Sequence, residues 1–290
     1  MATAKPSLSI VLPCLNEEDN LIQLLPFIKE AQPTAEILVV NDGSTDLSEE
    51  ICHQFKVNVV SHPKPLGNGA AIKTGARNAT GDIIVFMDAD GQHHPDDIQR
   101  LLEKLDEGYD MVVGARQSST HSSIKRLLGN TVFNKLASFM TGQKIEDLTS
   151  GYRAVRAKHF KKFLYLLPNG FSYPTTSTMA FFRSALPVAY VPIQAGKREG
   201  KSKIKLVKDG LRFFVIILKI GALFSPMRLF LPISLLFFSI GFLNHLYTYF
   251  SWGGLSKGSL LMYVSSIFIF LMGILSEQIS SLHYRNADKE

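Results

Sequence analysis

Cysteine is almost missing from this chain: among 290 residues only Cys14 and Cys52 carry a thiol. Two thiols so placed form neither a disulfide framework nor the paired spacing of a zinc site, and they suit a reducing compartment. Tryptophan occurs once, as Trp252. No internal repeat and no low-complexity tract is present, which sets aside solenoids and disordered tails. No apolar leader precedes the first strand-like run, so residues 1–200 are expected on the cytoplasmic side of any membrane the chain meets. Formal charge is absent from residues 229–250, LFLPISLLFFSIGFLNHLYTYF, and Glu277 is the only formal charge in 260–282.

Those two apolar stretches account for a mean hydropathy of +0.11, high for a soluble enzyme. At 1.5 Å per residue the first reaches about 33 Å, enough for a bilayer core of about 30 Å. With the short turn-like SWGGLSKGS between them, they predict a transmembrane hairpin at 227–290; a buried pair of soluble helices is the competing reading. Arg228 precedes the first span, Arg285 and Lys289 follow the second, and the loop holds Lys257 alone. By the positive-inside rule both ends face the cytoplasm, as for a multi-pass protein of a cell (inner) membrane.

From Lys197 to Arg228 there are nine Lys or Arg against two Asp or Glu, a net of +7 beside +6 for the whole chain. Excess positive charge next to a membrane hairpin points to anionic lipid headgroups and away from nucleic acid. Within this strip, residues 203–224 place Lys205, Lys208, Arg212 and Lys219 along one stripe among apolar neighbours. The segment 201–226 is therefore expected to form an interfacial helix, with a buried domain helix as the alternative.

Residues 1–200 alternate short apolar runs with helical patterns. Strands are predicted at Leu8–Leu12, Glu36–Val40, Val57–Val60, Asp82–Met87 and Met111–Val113, with helices near 18–30, 45–55, 68–79 and 95–107. That rhythm predicts an α/β domain, a mostly parallel sheet with helices on both faces, whose ligands bind beyond the carboxyl ends of the strands. Polar clusters fall at those ends. The clearest is Val85-Phe86-Met87-Asp88-Ala89-Asp90-Gly91-Gln92, an apolar run ending in two carboxylates one residue apart. Burying a bare carboxylate is costly, so such a pair calls for a cation, and oxygen donors suit Mg²⁺ or Mn²⁺. A solvated Asp-Gly turn is the bland alternative.

Taken together, PCLNEEDN at 13–20, VVNDGSTD at 39–46, GNGAAIKTGARNATGD at 67–82 and FMDADGQHHP at 86–95 resemble the family-2 glycosyltransferases, whose fold is the Rossmann-like GT-A type. GAR at 114–116, DLTSGYR at 147–153 and REGKSK at 198–203 narrow the resemblance to polyprenyl-phosphate sugar synthases: dolichyl-phosphate mannosyltransferases and their bacterial undecaprenyl-phosphate counterparts. It implies an inverting enzyme that moves one sugar from a UDP- or GDP-sugar to a polyprenyl phosphate. Homo-oligomers built through the spans are also compatible with it.

The resemblance also implies roles. Pro13, Asn16 and Glu17 line the nucleotide pocket, and Asp42 contacts the base or ribose; Asn41 stands where many members have Asp. Asp88, Asp90 and Gln92 surround the metal and the donor phosphates. Arg198, Ser202 and Lys203 close over the donor. Arg116 and Arg126 hold the acceptor phosphate, with Asn130 where some members have Ser. Asp147 and Arg153 organise the site, Asp147 either as a hydrogen-bond anchor or as a catalytic group. His93 and His94 are either metal ligands or part of a helix-entry turn before Pro95, and Glu277 and His245 are functional or packing groups of the spans. A lipid phosphate needs no strong base, since a phosphomonoester loses its second proton near pH 6. Two other readings stay open. A hydroxyl-bearing lipid such as diacylglycerol would need a base, with Asp147 the first candidate; a non-catalytic membrane scaffold would keep the fold alone. A processive polysaccharide synthase would carry Gln-x-x-Arg-Trp and more spans.

Overall fold

Apolar runs rich in Val and Ile, each followed by an amphipathic segment, build the α/β part in the computed structural model, which describes residues 6–116, 124–170, 172–194, 196, 218, 221–222 and 225–287. In chain order the elements are β1 (Leu8–Cys14), α1 (Glu18–Ala31), β2 (Glu36–Asn41), α2 (Ser48–Gln54), β3 (Asn58–Ser61), α3 (Asn68–Asn78), β4 (Ile83–Phe86), α4 (Asp97–Asp106) and β5 (Met111–Arg116). After them come α5 (Ile124–Thr141), β6 (Arg153–Arg156), α6 (Ala157–Lys162), α7 (Tyr173–Arg183), β7 (Val188–Ile193), α8 (Pro226–Trp252) and α9 (Lys257–Ala287).

Seven strands form one sheet in the order β3-β2-β1-β4-β6-β5-β7. All neighbours are parallel except that β6 runs against both β4 and β5. The five predicted strands are present, and β6 and β7 are additions. Arg-Ala-Val-Arg is too short and too charged to read as a strand, and Pro192 interrupts β7, which tolerates it as an edge strand. The reversal of β6 matters for the site. An antiparallel strand starts where its parallel neighbours end, so residues 147–152 arrive beside the carboxyl ends of β4 and β5; Arg153 pairs with both Phe86 and Val113.

Helices cover the sheet through side chains at helical spacing: Leu21, Leu25 and Ile28 of α1, and Ile98, Leu101 and Leu105 of α4, all fully buried. α3 approaches most closely because its buried face is Gly69, Ala70, Ala71, Gly75 and Ala76 with Ile72. A Cβ on Gly75 would stand 2.2 Å from Cγ1 of Val11.

The chain divides into two compact units, Met1–Lys135 with Lys144–Ile204, and Leu136–Gln143 with Lys205–Glu290. In the second, α8 and α9 form an antiparallel hairpin. Their apolar windows have mean hydropathies of 1.8 and 2.1 and are only 11% and 17% buried, so both are long and apolar enough to cross a membrane and turn their apolar surface outward. Small residues let the helices meet: a Cβ on Gly241 would lie 2.9 Å from Met262, and one on Gly273 2.8 Å from Phe230. Between them Ser234 and Ser266 exchange hydroxyl-to-carbonyl bonds of 3.0 and 2.9 Å, pairing polar groups that lipid could not satisfy. Gly253, at φ +73°, ends α8 in a left-handed cap. In the same unit the Arg228 guanidinium donates to the carbonyls of Phe139 and Met140 at 2.9 and 3.1 Å, a cation on the C-terminus of α5. Glu277 lies where the backbone N–H of Met227 points, 3.5 Å away, at the first turn of α8. The ring of His245 packs between those of Tyr249 and Tyr263. The interfacial helix expected at 203–224 falls almost wholly outside the described residues.

Replacing Gly75 by Ala is expected to destabilise the protein by about 1–3 kcal/mol, the usual cost of overpacking. Gly170→Ala, where a Cβ meets nothing within 4 Å, should leave the thermal unfolding midpoint unchanged. Equal midpoints for the two variants in detergent would contradict the close approach of α3.

Candidate active site

One side of the site is built from the ends of β1 and β2. Asn16 sits in left-handed backbone at φ 57°. Its N–H donates to the Ser44 hydroxyl at 2.9 Å, and its Oδ1 accepts the N–H of Thr45 at 2.8 Å. Those bonds lock the loop after β1 to the loop after β2. Glu17 follows, half-buried, its N–H donating to Ser48 and its carboxylate accepting from Asn20 at 2.6 Å. Pro13 lies in β1 opposite Val40. Asn41 accepts the N–H of Ser44 and donates to Glu49, so its amide supports the loop from beneath.

Asp42 is only 4% exposed. Its Oδ1 accepts the Leu66 N–H at 2.9 Å and His62 Nδ1–H at 2.7 Å; its Oδ2 accepts the Gly67 N–H at 2.8 Å. An ionised carboxylate only accepts, so Nδ1 of His62 carries the proton and Nε2 faces the Thr74 hydroxyl at 2.9 Å. Gly43 and Gly67 are required here: both have positive φ, and a Cβ would reach backbone atoms at 2.7 and 2.6 Å. His62 was invisible in the sequence, where it is a lone imidazole after a short strand.

At the end of β4, Asp88 and Asp90 are half-buried. Asp90 accepts the Gln92 N–H at 3.2 Å, which turns the chain sharply. The next residue, His93, is buried and stacks on Tyr152 with ring centroids 4.7 Å apart. Burial pushes its pKa down to about 4 against the opposing pull of Asp90, so the ring is neutral near pH 7. Among the described residues no three His, Cys, Asp or Glu side chains converge as a ready metal cage. What the strand end offers is a set of oxygen donors, Asp88 and Asp90 with Gln92 two residues on. That set fits a hard divalent ion that takes its remaining ligands from phosphate and water.

The opposite side is built from β5 and the turn before β6. Arg116, at the end of β5, forms a fork with Asp147: Nε to Oδ2 at 2.8 Å and Nη2 to Oδ1 at 3.0 Å, with Nη2 also reaching the Thr149 hydroxyl at 2.6 Å. Asp147 accepts further N–H groups from Thr149 and Ser150. Burial alone would raise its pKa, but the hydrogen bonds and charge of Arg116, with the backbone N–H groups, outweigh this and hold the carboxyl below its ordinary range. Burial likewise opposes the charge on Arg116, and Asp147 more than restores it. Gly151 then passes so close to Asp88 that a Cβ would stand 3.0 Å from Oδ2, and Tyr173 donates to its carbonyl at 3.0 Å. The structure thus brings Asp88, Gly151, Asp147 and Arg116 into one contiguous arrangement. Positions 126 and 130 lie in the first half of α5, but the side chains of Arg126 and Asn130 fall outside the described residues, as do Arg198, Ser202 and Lys203. Thr149 and Gly151 were quoted in the DLTSGYR motif without a role; their contacts became visible only through β6.

A sheet of this order with Asp-x-Asp at the end of its fourth strand defines the GT-A class of α/β protein. Solved structures agree on the fold: glucosyl-3-phosphoglycerate synthase of Mycobacterium tuberculosis superposes with a TM-score of 0.63 at 22% identity, over 75% of this chain and 80% of that one. Residues 9–164 match the glycosyl transferase family 2 model, and residues 225–282 match the GtrB C-terminal hairpin. The chain belongs to glycosyl transferase family 2. It is 31% identical to polyprenol monophosphomannose synthase of Mycolicibacterium smegmatis over 70% of this chain and 83% of that protein. With undecaprenyl-phosphate 4-deoxy-4-formamido-L-arabinose transferase of Edwardsiella ictaluri it shares 32% identity, over 69% of this chain and 63% of that one. Glycosyltransferase AglJ of Haloferax volcanii aligns over 94% of both chains at 25% identity.

Asp147→Asn removes one charge of a buried pair and is expected to cost about 3 kcal/mol, the low end for such a break, because Arg116 keeps 27% of its side chain exposed. Since the folded pKa of Asp147 is depressed, its contribution is complete above the unfolded carboxyl pKa and is lost as pH falls on through the lower folded value. Unfolding midpoints of wild type and variant should differ at pH 7 and begin to converge only below about pH 4. A gap that persists in acid would contradict the ion pair as its source.

Proposed function

We propose that this glycosyltransferase moves one sugar from a UDP-sugar to a polyprenyl phosphate at the cytoplasmic face of a membrane, by in-line attack that inverts the anomeric centre. The observation that carries the reading is the presence, in one chain, of a two-carboxylate strand end of the GT-A type and an apolar GtrB-type hairpin. The names of two relatives, polyprenol monophosphomannose synthase and undecaprenyl-phosphate formamido-arabinose transferase, support the acceptor class. Residues 1–200 then form the cytoplasmic catalytic domain, 201–226 a basic strip against anionic lipid, and 227–290 the membrane hairpin with both ends inside.

Asp42 favours uracil over guanine. A carboxylate offers about four lone-pair positions; two on Oδ1 and one on Oδ2 are taken by His62, Leu66 and Gly67. Among the described residues one place on Oδ2 remains. The single imide N–H of uracil matches it, whereas the adjacent N1–H and N2–H of guanine ask for both oxygens. Asn16 and Glu17 complete the pocket wall beside Pro13.

A divalent ion on Asp88, Asp90 and Gln92, Mg²⁺ or the Mn²⁺ held with UDP-glucose by the solved synthase, would offset the charge that develops on the leaving diphosphate. Arg116 meets the other reactant. Nε and Nη2 are committed to Asp147 and Thr149, while Nη1 makes no hydrogen bond among the described residues. A guanidinium half engaged by its own carboxylate is pre-oriented and keeps a pair of N–H donors for phosphate oxygens. Arg126 and Asn130 are proposed to add further donors from α5, and Arg198, Ser202 and Lys203 to close over the donor. The acceptor phosphate is its own nucleophile near neutral pH. A hydroxyl acceptor is disfavoured because its candidate base, Asp147, has its lone pairs committed and its basicity lowered.

Full-length protein in detergent with undecaprenyl phosphate, Mg²⁺ or Mn²⁺ and labelled nucleotide sugars should yield an organic-extractable, mild-acid-labile lipid. The label should come from a UDP-sugar and disappear with EDTA. Label arriving only from GDP-sugars would overturn the donor reading; transfer to diacylglycerol instead would overturn the acceptor. Asp88→Asn should lower turnover by about 10²-fold or more, the scale of losing a stabiliser of developing charge, with the unfolding midpoint little changed.

A further inference from the structure

Asn134 lies in the middle of α5, and its amide is used on both sides. Nδ2 donates to the carbonyl of Glu146 at 2.6 Å, and Oδ1 accepts the N–H of Leu148 at 3.0 Å. Only one orientation of the amide satisfies both partners, since a flip would set oxygen against oxygen and N–H against N–H. The two backbone groups it grips bracket Asp147, the residue that forks Arg116.

Two structures therefore meet at this one side chain. On one side is the Asp147 turn, and through it the guanidinium of Arg116. On the other is α5 itself, in which positions 126 and 130 precede Asn134 by eight and four residues. Residues four apart share a helix face, so positions 126, 130 and 134 lie on one face of α5. Asn has poor intrinsic propensity for the middle of a helix. Its double backbone grip gives it another use: it sets the register of α5 against the end of β5.

We infer that Asn134 is a positioning residue for the acceptor phosphate, because its amide fixes the helix carrying Arg126 and Asn130 relative to the turn that holds Arg116. This rests on the acceptor reading above. It makes a directional statement about kinetics: both bonds of Asn134 go to the backbone on either side of Asp147, the residue that forks Arg116, so the acceptor constants are affected first and most.

Asn134→Ala removes both bonds. Asn134→Asp keeps the acceptor for Leu148 and sets a carboxylate oxygen against the Glu146 carbonyl. Both variants of the full-length protein in detergent would be titrated with undecaprenyl phosphate at saturating UDP-sugar, and the converse. For each, kcat/KM for the lipid should fall about tenfold, equivalent to about 1.4 kcal/mol, while KM for the UDP-sugar stays within about twofold. Should the Ala variant fail to fold, the Asp variant alone carries the comparison. Donor and acceptor constants that move together would mark a merely structural residue and overturn the inference, and so would no change in either. A wild-type enzyme that never charges the lipid overturns the acceptor reading as well; a wild type that charges it, with variants unaffected, overturns this inference alone.

Discussion

A wholly buried guanidinium secures the half of the site built on β5 and β6. Arg153, the first residue of β6, donates to the carbonyl of Pro174 at 3.0 Å, to the hydroxyls of Ser177 and Thr178 at 2.7 and 3.2 Å, and to the carbonyl of Ser150. The face of Tyr173 lies 5.6 Å from its centre. Burying a cation costs several kcal/mol unless oxygens replace its water, and here the first turn of α7 and the turn before β6 supply them. The same bonds that solvate the charge tie α7 to residues 147–152. Asp147 can hold Arg116, and Gly151 can back Asp88, only while that turn keeps its place.

The two halves of the site are stabilised by different means. Beyond β1 and β2, carboxylates face backbone N–H groups: Asp42 gathers Leu66 and Gly67, and Asp46 accepts from Glu18 and Ser48. Such bonds shape the loops and leave little side-chain freedom. Beyond β5 the chief contact is charge against charge, Arg116 with Asp147. The proposed donor and acceptor roles follow this difference: a hydrogen-bonded pocket for a base and a charged one for a phosphate. The hairpin contributes differently again. Small residues and paired serines hold α8 to α9, and the rest of its apolar surface is left for lipid.

Much of this was legible in the residues alone. β1, β2 and β4 were readable because a buried parallel strand is a short apolar run, and each ended at a motif. The apolar spans were legible because absence of charge over more than twenty residues has few other uses. β6 was not legible: four residues with an arginine at each end look like loop, and only the oxygens of α7 and of Ser150 make the burial of Arg153 affordable. His62 and Asn134 were equally silent, since an isolated polar residue carries no signal until its partners are brought to it from distant parts of the chain.

By itself, then, the sequence determined the kinds of chemistry present: two carboxylates at a strand end, a basic strip, two apolar spans and a set of motifs at strand termini. These follow from local composition and spacing, which do not depend on how the chain is threaded. Tertiary structure decided which groups act on one another. Reversal of β6 set Asp147 on Arg116 and Gly151 on Asp88, and it gave the Asp147 carboxylate hydrogen bonds from Arg116, Thr149 and Ser150. Partners separated by more than twenty residues meet only through strand order and direction, and those are settled by packing of the whole sheet.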